Sequence, residues 1–138
     1  MIVGLDLQLH SKVTGGGTIA STAGRASFQL SAQYEGSSLV PSGETTFDAA
    51  GLSFESTGVA WLVAEVDGSA AQYGGTGSVN GDAGYRFLVA VTDGPDRLRV
   101  KIWNVETGDV VFDNQPDDPD DAAASQPIRS GQIMVHGG

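Results

Sequence analysis

The densest chemistry in the chain is a single run, Asp113-Asn114-Gln115-Pro116-Asp117-Asp118-Pro119-Asp120-Asp121. Calcium takes about six to eight hard oxygen ligands, and carboxylates with an amide on a pliable segment supply that kind of donor. The candidate metal ligands are therefore Asp113, Asn114, Asp117, Asp118, Asp120 and Asp121. The spacing is not that of an EF-hand, whose mid-loop glycine and closing glutamate are both missing. The same residues also read as a solvated acidic loop, and composition does not separate the two. A second constellation lies upstream. Trp103 shares the alternation of Arg97, Arg99 and Lys101, which would aim all four away from a core. An exposed aromatic ring among polar groups is how a β module stacks on a sugar or anchors a partner. Trp103, Arg99 and Lys101 are thus the candidate ligand-binding residues, against the alternative that the indole packs under a neighbouring loop.

Other arrangements are weaker. His10 and His136 would meet if the first and last strands paired, but two imidazoles without a thiol or a fixed spacing make a poor start for zinc. Glu55 and Glu65, placed on adjacent expected strands, would give the carboxylate pair that glycoside hydrolysis requires. With 17 acids in 138 residues, such a pair also arises by chance. No Gly-x-Ser-x-Gly elbow exposes a serine nucleophile. The absence of cysteine removes disulfides, thiolate metal sites and a cysteine nucleophile together. An intramolecular isopeptide bond from Lys12 or Lys101 would need a buried lysine, whereas Lys101 alternates outward. The chain carries no catalytic signature.

These residues must be positioned by strands. Phe28-Gln29-Leu30-Ser31-Ala32-Gln33-Tyr34 alternates strictly, and Arg97-Leu98-Arg99-Val100-Lys101-Ile102 repeats the scheme with cations outward. Residues 59–66 and 85–91 are apolar on both faces and read as central strands, and the apolar phase of the runs places Phe28, Leu30, Leu52, Phe54, Trp61, Val63, Phe87, Val89, Val100 and Ile102 in the core. Shorter candidates are 2–9, 13–20, 45–48, 52–55, 70–79, 109–112 and 132–136. Between them stand turn signals such as Asp67-Gly68, Asn80-Gly81 and Asp93-Gly94-Pro95, which supply the positive φ of tight hairpins. Twenty glycines suit hairpins and bulges and would weaken helices. No helical periodicity persists for three turns. The expected fold is all-β: one antiparallel sandwich or barrel of about nine to eleven strands, spanning residues 1–138 as a single domain. Residues 114–130 form a long acidic connection before the last strand, and such connections are either functional or loosely ordered.

Charge narrows the partners. Seven basic against 17 acidic residues give a net charge of −10, which repels nucleic acid and anionic lipid. No stretch approaches the roughly 20 apolar residues that span a bilayer. Met1-Ile2-Val3-Gly4-Leu5-Asp6-Leu7 lacks the basic start and unbroken apolar run of a signal peptide, so if the protein is exported its signal is expected upstream.

An ordered series of motifs runs from residue 13 to residue 136. It comprises Val13-Thr14-Gly15-Gly16-Gly17, the strand from Phe28 to Tyr34, and Gly51-Leu52-Ser53-Phe54-Glu55-Ser56-Thr57. It continues through Ala71-Gln72-Tyr73-Gly74-Gly75-Thr76-Gly77-Ser78-Val79-Asn80-Gly81, Tyr85-Arg86-Phe87, Val91-Thr92-Asp93-Gly94 and Lys101-Ile102-Trp103. It closes on Val111-Phe112-Asp113-Asn114-Gln115 and Gly131-Gln132-Ile133-Met134-Val135-His136. In this series the chain resembles the bacterial post-COAP domains, glycine-rich β modules at the C-terminal ends of large exported proteins. The resemblance implies an extracellular or cell-surface accessory domain without catalytic residues. Such a module would bind a carbohydrate, a cell-surface component or a neighbouring domain of its parent protein, with calcium as the one cofactor to consider. The alternative is a small β-barrel enzyme enclosing a ligand cavity. A packed interior favours the first, and an interior cavity with convergent polar groups favours the second.

Overall fold

The computed structural model describes residues 11–21, 24–34, 40–49, 51–65 and 67–137. The expected strand at 2–9 and His10 lie outside them. Nine strands follow in chain order: β1 (Ser11–Ser21), β2 (Gly24–Gln33), β3 (Thr45–Ala49), β4 (Leu52–Ala64), β5 (Ala70–Val79), β6 (Asp82–Thr92), β7 (Arg97–Asn104), β8 (Val110–Asp113) and β9 (Ser130–Gly137). Among the described residues there is no helix. The fold is all-β, one antiparallel sheet in the order β8-β7-β6-β5-β4-β3-β2-β1-β9, curled into a half-barrel. Strands β1 to β8 form a meander, and β9 alone leaves sequence order to pair with β1.

Local chemistry explains the meander. Asn80 and Gly81 both take positive φ, 51° and 88°, in a two-residue turn between Val79 and Asp82. That backbone follows the twist of the strands it joins. The Asn80 side chain also accepts from Ser53 N at 2.8 Å and donates to Gly51 O at 3.2 Å, tying this turn to the β3–β4 turn.

Alternation builds the interior. Ala26, Phe28, Leu30 and Ala32 of β2 are buried, as are Phe87, Val89 and Val91 of β6 and Leu98, Val100 and Ile102 of β7. Phe87 meets Phe54 at 5.2 Å and Tyr73 at 5.8 Å between centroids, both edge-on, the geometry ring quadrupoles favour. Tyr73 shares a hydrogen bond of 2.7 Å with the Thr45 hydroxyl. Burial pushes its phenol far above the ordinary value, so it stays neutral.

Strand β4 departs from the sequence expectation. It merges the strands expected at 52–55 and 59–66 into 13 residues. Its pairing with β5 slips between Ser56 and Gly58 and again between Val59 and Trp61. An extra residue on one strand reverses which face the following side chains take. Val59, Leu62 and Ala64 therefore face the core, while Trp61 and Val63, expected inside, are 39% and 56% exposed. Leu52, also expected in the core, packs half-buried at its margin. The same merger separates Glu55 from Glu65. One lies within β4 and the other just past its end, about 30 Å apart along an extended strand. They do not flank a common bond.

The free edge of β9 is closed by carboxylates. Ile133 N donates to Asp96 Oδ2 at 2.9 Å, and Val135 N donates to Asp93 Oδ2 at 3.0 Å. Both acids belong to the β6–β7 turn, so side chains replace a ladder across the seam and blunt an edge that would otherwise template pairing. Beside them, Leu98 N donates to Gln126 O at 2.9 Å and Arg129 N to Thr18 O at 2.7 Å. The chain thus steps from β7 directly to β1. Replacing Asp93 or Asp96 by alanine strands an N–H of a buried residue and is expected to cost about 1–3 kcal/mol in urea unfolding. Asparagine, which keeps an acceptor oxygen, should lose less. Alanine variants as stable as the parent would mean that water serves this edge equally well.

Candidate ligand-binding cleft

Residues 114–129 lie across the outer face of β5 to β7, and their own side chains hold them there. Asn114 continues the edge of β7 as a strand would: its Oδ1 accepts from Val100 N at 2.8 Å, and its Nδ2 donates to Leu98 O at 2.9 Å. Gln115 is 7% exposed and works as a hub. Its Nε2 donates to Asp118 Oδ2 at 2.7 Å and Ala123 O at 2.8 Å, while its Oε1 accepts from Ser125 N at 2.9 Å. Across the sheet, Gln72 Nε2 reaches Ala122 O at 3.3 Å.

Arg99 fastens the segment. Its side chain leaves the outer face as alternation demands, yet it is 0% exposed because the segment covers it. Nε and Nη2 fork onto the Asp113 carboxylate at 3.3 and 3.1 Å. Nη1 donates to Pro119 O at 2.6 Å, and Nη2 also donates to Asp118 O at 3.2 Å. A buried charge is tolerated when paired and hydrogen-bonded in this manner. Arg99, expected to meet a ligand, is therefore a clasp enclosed in the protein. Lys101 is part-exposed, with its Nζ 2.7 Å from Asp120 Oδ1 and 5.4 Å from the centre of the Trp103 ring.

The acidic residues are thereby dispersed. Asp113 serves Arg99, Asp118 accepts from Gln115, Asp120 pairs with Lys101, and Asp117 and Asp121 are exposed. Among the described residues, no group of three or more His, Asp or Glu stands placed to hold a metal ion. Lys12 is exposed, as is His136 at the far end of β9.

Where the acidic segment stops short of covering the sheet, a cleft of about 330 Å³ remains between Trp61 of β4 and Trp103 of β7. Trp61 lies against the bare backbone of β5. A Cβ on its cross-strand partner Gly74 would stand 2.9 Å from the indole Nε1 and 2.7 Å from Phe87 O. Only glycine leaves that bed. Trp103 faces Arg86 across the β6–β7 pair, and Arg86 faces Thr76 across β5–β6. Arg86 is exposed and makes no ion pair among the described residues. Asp120 and Asp121 form the wall on the side of the acidic segment.

Of the candidate ligand-binding residues, Trp103 lines this cleft, Lys101 borders it through Asp120, and Arg99 is enclosed. Sequence reasoning missed Trp61 and Arg86. For Trp61 the signal was the Gly74-Gly75 pair, a bulge cue that lies opposite Trp61 and Val59. Compared with family models, curated proteins and solved structures, the chain matches none of them.

Proposed function

We propose that this domain is a non-catalytic accessory module that binds a carbohydrate on its outer face, as part of a large exported bacterial protein of the kind the post-COAP resemblance implies. The observation that carries the proposal is the cleft framed by two part-exposed indoles, Trp61 and Trp103, with donors and acceptors from Arg86, Asp120 and Asp121 between them. Sugar rings present an apolar C–H face and a hydroxyl rim, and this pairing of aromatic platforms with polar walls complements both. The enclosed-cavity enzyme is the poorer reading. The barrel interior is occupied by Phe54, Phe87 and Tyr73 in ring contact, and among the described residues no buried side-chain nitrogen or oxygen lacks a partner.

Titrating soluble cell-wall and storage polysaccharides into the domain while following tryptophan emission tests the proposal. At least one glycan is expected to change the emission saturably. Trp61→Ala and Trp103→Ala should each weaken binding about tenfold or more, equivalent to about 1.4 kcal/mol of lost contact. Because both rings are part-exposed, melting temperatures should move little. Parental affinity in both variants would remove the cleft as the site.

A further inference from the structure

We infer that the ligand is an internal stretch of an uncharged, extended glycan laid across strands β4 to β7, rather than a single sugar or a polyuronate. This rests on the carbohydrate reading above and gives it a ligand class. Register fixes the span. Trp61 is level with Gly74, Leu88 and Lys101, so Trp103 sits three strands away and two residues further along. Three inter-strand spacings with that offset separate the two Cα atoms by roughly 15 Å. The two indoles frame a site that crosses four strands, a run that a short row of linked rings fills and a single pyranose ring covers only in part. The acidic segment walls the cleft on one side through Asp120 and Asp121, and a site on the outer face of a sheet lets a chain continue past its ends.

Charge selects against uronates. The wall holds Asp120, whose side chain is 60% exposed although bonded to Lys101, and the exposed Asp121. Among the described lining residues Arg86 is the one cation, Lys101 and Arg99 are already engaged by Asp120 and Asp113, and the whole chain carries a net charge of −10. Repeated carboxylates along a polyuronate would approach like charges in a partly desolvated site, where opposition is least screened. Neutral hydroxyls avoid that conflict, since each accepts from the Arg86 guanidinium or donates to a carboxylate.

The test uses the intact domain with graded oligosaccharides, from one to six sugars, of neutral β-linked and α-linked hexose and pentose series. Oligogalacturonates and oligomannuronates of the same lengths form the second arm. In at least one neutral series, affinity is expected to climb tenfold or more between one and four sugars and then level. Trp61→Ala or Trp103→Ala should flatten that climb. Uronate oligomers should bind at least tenfold more weakly, and Asp121→Asn should narrow the gap. A monosaccharide that binds as tightly as the tetramer overturns the extended-chain inference. Uronates that bind more tightly at moderate salt overturn the charge inference. Either outcome leaves carbohydrate binding itself intact, whereas silence from every glycan in both arms removes the two readings together.

Discussion

Replacing Arg99 with alanine is expected to destabilise the domain by about 3–5 kcal/mol, the usual consequence of removing one partner from a buried ion pair. The guanidinium is fully enclosed, and the side chain of its partner Asp113 is 7% exposed. Without Arg99 that carboxylate would remain in a poorly solvated place with Gln115 N as its remaining described donor, at 2.8 Å. The carbonyls of Asp118 and Pro119 would lose their donors in the same step. For a chain of 138 residues, such a loss lowers the melting temperature by about 10–15 °C. A cycle with Arg99→Met and Asp113→Asn should return a coupling of about 2 kcal/mol, because the two residues share one network. Limited proteolysis should find residues 114–126 first in the alanine variant. Glycan affinity should fall as well, since Asp120 and Asp121 belong to the released segment. An unfolding midpoint unchanged from the parent would mean that Asn114 and Gln115 hold the segment unaided.

Much of this arrangement was legible before any coordinates. Phe28 to Gln33 and Arg97 to Ile102 carry a period of two, and each lies in a strand with the expected face inward, while Ala70 to Val79 forms a strand at the expected bounds. Asn80-Gly81 marked a turn because few residue pairs accept positive φ twice. What escaped was set by contacts distant in sequence. Arg99 alternates outward correctly, but nothing in its own strand says that residues 118–119 will return to cover it. Those residues looked solvated because their composition is acidic. Their order comes from Asn114 and Gln115, whose amides imitate backbone groups and which no charge count would single out. Trp61 escaped for a different reason. Periodicity assumes an uninterrupted strand, and a single bulge converts a confident core position into an exposed one. The missed platform Trp61 and the misplaced Val63 therefore share one cause, the slip between Val59 and Trp61.

That slip gives the second large effect its meaning, because inner and outer positions alternate within a few ångströms in this sheet. Phe87 is 2% exposed and packs edge-on against Phe54 and Tyr73, while its backbone carbonyl lies beside Gly74 under Trp61. Phe87→Ala is expected to cost about 3–5 kcal/mol, combining lost transfer energy with a cavity that curved, hydrogen-bonded strands cannot readily collapse. Phe87→Leu, which keeps most of the volume, should cost less than about 1.5 kcal/mol. The outer face should be affected differently. Trp61, Arg86 and Trp103 are set by β4, β6 and β7 backbones whose ladders survive the substitution, so well below its melting temperature Phe87→Ala should keep glycan affinity within about threefold of the parent. Trp61→Ala should show the reverse pattern, stable but binding at least about tenfold more weakly. Urea unfolding and tryptophan titration on the same two variants separate the faces. If Phe87→Ala unfolds like the parent while Trp61→Ala collapses, the phase assigned to the bulged strand is inverted, and the cleft loses its platform.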